Sequence, residues 1–106
     1  MLIALDVSLK LIEELRPVMP GIKRANRDLA DQITRAATSV ALNLGEGYAR
    51  TAGDQRRHYE MALGSAAEVR TGLAVGVAWG WIAEPSSVLA TMDRLMAIVW
   101  RLTHRR

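Results

Sequence analysis

Two histidines are the only side chains here whose ordinary pKa lies near neutrality. His58 follows Asp54 by one helical turn, so the two could share a helix face. His104 falls in the terminal turn of the chain and is expected to be solvated. Ser65 with Glu68, and Ser39 with Asn43, also share faces, but neither pair has a histidine to activate a hydroxyl. A metal site needs three or four convergent ligands, and no His-x-x-x-His or Glu-x-x-His spacing occurs. No glycine-rich phosphate loop precedes a helix. These residues lead us to expect neither catalysis, nor a metal, nor a cofactor.

The polar residues that stand out lie elsewhere. In the stretch RAATSVALNLGEGYAR, Arg35 to Arg50, successive residues turn through about 100° on a helix. Leu29, Ile33, Ala36, Ala37, Val40 and Leu44 then form a core stripe. Gln32, Arg35, Ser39, Asn43 and Glu46 run beside it as a second, polar stripe, read as a hydrogen-bonded network that fixes helix register. Gly47 is placed to end the helix in the left-handed conformation.

Basic residues gather in three places. Lys23, Arg24 and Arg27 occupy the connection GIKRANR. Arg50, Arg56 and Arg57 flank the next connection, and Arg105 and Arg106 close the chain. In an up-and-down bundle the second and third groups share one end, with Asp54 as the main acid near them. Repeated around a symmetric ring, that end would form a basic annulus able to contact several phosphates. Tyr48 and Tyr59 are the candidate stacking groups there, and Tyr59 reads as core, so sequence-specific base reading is not expected.

These groups must be positioned by helices. The chain has 106 residues, half of them hydrophobic, with no cysteine and a net charge of +3. That fits one globular domain spanning residues 1–106, and it excludes a disulfide scaffold, a thiolate metal site and a cysteine nucleophile. The first helix is expected from about Leu2 to Arg16, with Leu5, Leu9, Ile12 and Leu15 inward, and Pro17 and Pro20 ending it. Asn26 is the expected N-cap of the second helix, which runs to Gly47. Asp54 is the expected N-cap of the third, from about Gln55 to Ile82, whose core stripe is Tyr59, Ala62, Ala66, Val69, Leu73 and Val77. After the turn Glu84–Ser87, the fourth shows Val88, Met92, Leu95, Val99 and Leu102 at bundle spacing.

From Thr71 onward the third helix is apolar almost all the way round. Such a helix is normally buried on every side, which four helices alone do not provide, so a homo-oligomer is expected. Trp79 and Trp81 would face either a subunit interface or solvent. The glycines at 64, 72, 76 and 80 each cost up to about 1 kcal/mol against alanine, a cost that close approach by a neighbouring helix would offset. The apolar run Thr71–Ala83 is too short to span a bilayer, and the N-terminus has no basic start or cleavage site. A cytoplasmic protein is expected.

The order Leu29-x-x-Gln32-x-x-Arg35-Ala36-Ala37-x-Ser39-Val40-x-x-Asn43-Leu44-Gly45-Glu46-Gly47-x-x-Arg50, followed by Tyr59, Ala62, Gly64-Ser65 and Glu68, resembles the "four helix bundle protein" family, also called 23S rRNA-intervening sequence proteins. Val40 and Leu44 stand where the family signature has isoleucine, Gly45 where it has alanine, and Tyr59 where phenylalanine is usual. The resemblance implies an all-α, antiparallel up-and-down four-helix bundle assembled into a ring, typically a homopentamer. It also implies that Gln32, Arg35, Ser39, Asn43, Glu46, Ser65 and Glu68 form a structural polar network, with Arg35 paired to Glu46 or Glu68. Some members are encoded inside intervening sequences of large-subunit ribosomal RNA genes. A related branch, the accessory variability determinant proteins of diversity-generating retroelements, comprises basic pentamers that bind nucleic acid and a reverse transcriptase. The expected function is therefore non-enzymatic binding of RNA or DNA by a basic ring surface, or else a protein-interaction scaffold.

Overall fold

The structure is a computed structural model describing residues 2–104. Those residues form α1 (Ile3–Leu15), α2 (Met19–Ala25), α3 (Arg27–Tyr48), α4 (Ala52–Ala78) and α5 (Ser86–Thr103), with no strand among them. The all-α class is as expected, but there are five helices rather than four. The segment read as a basic link folds into α2. Pro20 does not end a helix; it sits in the first turn of α2, where a missing N–H costs nothing. Asn26 separates α2 from α3 in an extended conformation, and its Oδ1 accepts from Leu29 N–H at 2.9 Å.

α1 packs on α3 and α5, α4 packs on the same two helices, and α2 packs on α3. The core holds Ile33, Ala36, Ala37, Val40 and Leu44 of α3, with Tyr59, Ala62, Ala66, Val69 and Leu73 of α4. α5 contributes Val88, Met92, Leu95 and Val99. The inward face of α1 differs from the expected one: Ala4, Val7, Ser8, Leu11 and Leu15 are buried, while Leu9 is 46% exposed. Helix α1 is apolar over more than one side, and packing rather than size selects the buried one, with Leu11 and Leu15 inside and Leu9 outside. Buried Ser8 is satisfied locally, its Oγ donating to Leu5 O at 2.7 Å.

Contacts descend α3 as they climb α4. Gly47 lies against Tyr59, Ser39 bonds Ser65, and Gly72 lies against Ile33, so the two helices run in opposite senses. Gly47 remains helical and buried rather than entering the left-handed region; a Cβ there would come 2.8 Å from Tyr59 Cε1, so the position needs a residue without one. The left-handed glycine is Gly80, φ 77°, just past α4. At the start of α4, Thr51 rather than Asp54 occupies the N-cap position. Gln55 Nε2 ties the connection together, donating to Gly47 O and Arg50 O, each at 3.1 Å.

Candidate nucleic-acid interface

The arginines at the α3–α4 connection are not free. Arg50 Nη2 meets Glu46 Oε1 at 2.7 Å, and its Nη1 lies 3.5 Å from Asp54 Oδ2. Arg57 Nη2 meets Asp54 Oδ1 at 3.0 Å, and Arg56 Nε meets Glu60 Oε1 at 3.3 Å. The hydrogen bond from Arg50, then its charge, holds the Glu46 carboxyl below its ordinary pKa; the hydrogen bond from Arg57 does the same for Asp54. Three arginines thus face three carboxylates, which corrects the expectation that this end carries little acid beyond Asp54. Exposed pairs of this kind contribute only about 0–1 kcal/mol each, yet they cancel the field that would draw in phosphate. Arg105 and Arg106 lie outside the described residues.

The group at the other end is different. Lys23 and Arg24 stand in the last turn of α2 and Arg27 opens α3, all three exposed. Among the described residues, none of the three is ion-paired. The negative end of the α2 dipole favours the first two. Asp28 and Asp31 in the opening turns of α3 are the nearest acids in sequence. Arg16 adds a cation that sequence reasoning passed over. It lines, with Lys23, an open cleft of about 720 Å³ between α1, α2 and α3, whose other walls include Ile12, Leu15, Met19 and Ile33.

The polar stripe divides into parts. Asn43 Nδ2 donates to Ser39 O and Ser39 Oγ, each at 3.0 Å, and Ser65 Oγ donates across from α4 to Ser39 Oγ at 3.0 Å. His58 joins this chain rather than Asp54: its Nδ1 lies 3.1 Å from Asn43 Oδ1. An amide oxygen only accepts, so Nδ1 donates here and cannot act as a base toward Asn43. The chain fastens α3 to α4 from half-buried positions. Gln32 and Glu68 line a small hollow of about 160 Å³ beside Leu29 and Gly72. Arg35 is exposed and forms no ion pair among the described residues, so the expected pair with Glu46 or Glu68 is absent. About 16 Å of helix rise separates Arg35 from Glu46, and Arg50, one turn beyond Glu46, takes that carboxylate. Among the described residues, no group of three or more His, Cys, Asp or Glu is placed to hold a metal. Among the described residues, no helix is long and apolar enough to cross a membrane.

The profile of the 23S rRNA-intervening sequence protein family matches residues 2–101. The chain belongs to that family. A search among curated proteins finds no match.

This family member leaves large apolar side chains in water. Ile3 and Leu9 on α1, Leu42 on α3, Met61, Val75 and Trp79 on or beside α4, and Trp100 on α5 are each between 38% and 70% exposed. The apolar half of α4 accordingly splits: Gly72, Leu73 and Gly76 are buried, while Ala74, Val75 and Ala78 are exposed. Scattered singly, such side chains are ordinary on a protein surface; only a contiguous patch marks an interaction site.

Proposed function

We propose that this protein is a non-enzymatic homo-oligomer, a pentameric ring of antiparallel four-helix cores, that binds nucleic acid, foremost RNA, through phosphate contacts. The observation that carries the reading is the unpaired, exposed trio Lys23, Arg24 and Arg27 at the α2–α3 junction. Repeated around a ring, that trio multiplies the cations available to one polyanion, which raises affinity through counterion release. The 23S rRNA in the family description supports RNA as the first ligand to test. The exposed Ala74, Val75 and Ala78 on α4 support self-association, since a homo-oligomer would cover them. The protein would act in the cytoplasm, with no cofactor and no metal.

A second reading is a docking scaffold for a protein such as a reverse transcriptase, with the charge serving solubility alone. It is favoured by the ion pairs that neutralise Arg50, Arg56 and Arg57. Fluorescence anisotropy with labelled structured RNA and duplex DNA across a salt series separates the two, on protein whose mass is fixed by light scattering. Binding that weakens steeply with salt and depends little on sequence supports the first reading. An intact oligomer that binds neither nucleic acid at low salt refutes it and leaves the scaffold.

A further inference from the structure

Trp79 closes α4 and Trp81 follows two residues on, with left-handed Gly80 between them. Gly80 N–H donates to Val77 O and Trp81 N–H to Gly76 O, both at 2.9 Å. This pair of bonds is the Schellman pattern, a fixed helix stop, so backbone geometry sets the positions of both indoles. The rings stack, their centroids 5.8 Å apart and their planes within 11° of parallel. Trp81 covers one face of Trp79, yet Trp79 remains 70% exposed, so its other face is open.

The turn is seated on the basic helix. A Cβ on Gly21 of α2 would come 2.9 Å from Ile82 Cγ2 and 3.2 Å from Trp81 O, and Arg24 Nη2 lies 4.0 Å from the same point. Ile22 of α2 lies against Gly76. Arg24 and Trp81 line one shallow concavity, which also holds Glu84. An open indole face and unpaired cations therefore share one end of the molecule. Trp100, stacked on His104 at 3.9 Å, is a second exposed indole. It lies at the C-terminal end of α5, whereas the N-terminal end of α5 meets the close of α4.

We infer that the Trp79–Trp81 stack is a platform for unpaired nucleotides of single-stranded RNA or DNA, with a base on the free face of Trp79 and the flanking phosphates on Lys23, Arg24 and Arg27. The inference rests on the nucleic-acid reading above and assigns it a site. Every base offers a π face to an indole, so stacking is tolerant of sequence. Bases inside a duplex are already stacked on one another, so the platform selects unpaired strands. Glu84 shares the concavity with Arg24, and its carboxylate weakens phosphate contact at that one arginine.

The test uses the intact oligomer and a fluorescein-labelled, unstructured RNA oligonucleotide, alone or annealed to its complement. Wild-type protein is expected to bind the single strand more tightly than the duplex. Trp79→Leu should weaken single-strand binding by roughly 5- to 150-fold while leaving duplex binding and the salt slope unchanged. Trp79→Phe should recover part of the loss, and Trp100→Leu should have no effect. Equal effects of Trp79→Leu on both ligands, or no effect on either, overturn the platform while leaving the nucleic-acid reading standing. A fall in particle mass for Trp79→Leu overturns it too and assigns Trp79 to the subunit interface. Absence of binding to either ligand by wild-type protein at low salt defeats the broader reading itself.

Discussion

Replacing Gly72 by alanine should destabilise the protein even though alanine is the better helix former. The added Cβ would lie 2.6 Å from Ile33 Cγ1 and 3.0 Å from Ile33 Cδ1. Carbon atoms pack at about 3.5–4.0 Å, so the overlap is close to 1 Å. Ile33 is 1% exposed and packed in the core. Either it leaves its rotamer or α3 moves off α4, and overpacking of this kind costs about 1–3 kcal/mol. The gain in helix propensity returns up to about 1 kcal/mol, leaving a net loss of about 0–2 kcal/mol. Gly64 on the same helix is the internal control: it is exposed, and a Cβ there would meet nothing within 4 Å. Gly64→Ala should therefore stabilise by about 0.5–1 kcal/mol. For a domain of this size the two variants should differ in Tm by about 2–12 °C, read by circular dichroism at one matched protein concentration. Equal Tm values, or a Gly72→Ala variant more stable than wild type, would refute the close approach of α3 to α4 at this level.

Three further outcomes follow from the same contacts. Asn43→Leu deprives His58 Nδ1 of its acceptor and Ser39 of a donor, and should cost about 1–2 kcal/mol in urea unfolding. A double-mutant cycle of Asn43→Leu with His58→Ala should give a coupling energy of about 0.5 kcal/mol or more; strict additivity would show that the bond contributes nothing. The Glu14 carboxyl is held below its ordinary 4.5 by Thr91 and then by Ser87, whose Oγ donates to it at 2.8 Å. Ionised Glu14 therefore adds stability that is present above that ordinary value and lost as pH falls through the lowered one. Glu14→Gln should flatten the acid limb of a stability–pH curve, and an unchanged limb would remove Glu14 from the α1–α5 contact.

The helices that carry the core were legible because their apolar positions recur at one period. Ile33, Val40 and Leu44 on α3, and Val88, Met92, Leu95 and Val99 on α5, are buried as their spacing requires. The inward face of α1 was not legible, since leucines on two sides compete and only packing decides between them. The helix α2 was hidden by Pro17 and Pro20, which read as breakers although Pro20 serves as a starter. The pairs Glu46–Arg50 and Asp54–Arg57 lie at helical spacing and were open to a count of i,i+3 and i,i+4 neighbours. The bond between His58 and Asn43 was not, because it depends on how α3 and α4 slide against each other. For the same reason the meeting of Trp81 with α2 had no signature along the chain.

The most direct measurement is the slope of log binding constant against log salt for labelled RNA, taken on three proteins of equal oligomeric mass. These are wild type, the triple variant Lys23→Ala/Arg24→Ala/Arg27→Ala, and the triple variant Arg50→Ala/Arg56→Ala/Arg57→Ala. Each lost phosphate contact should reduce the slope by about 0.7 on a single strand. The α2–α3 variant should therefore lose about 2 units of slope and most of its affinity. The Arg50 variant should keep its slope, because its arginines are already paired with Glu46, Asp54 and Glu60, and should lose only the smaller share of affinity that unmasking those carboxylates costs. The reverse ranking, or a wild-type oligomer with no salt-dependent binding, would contradict the account.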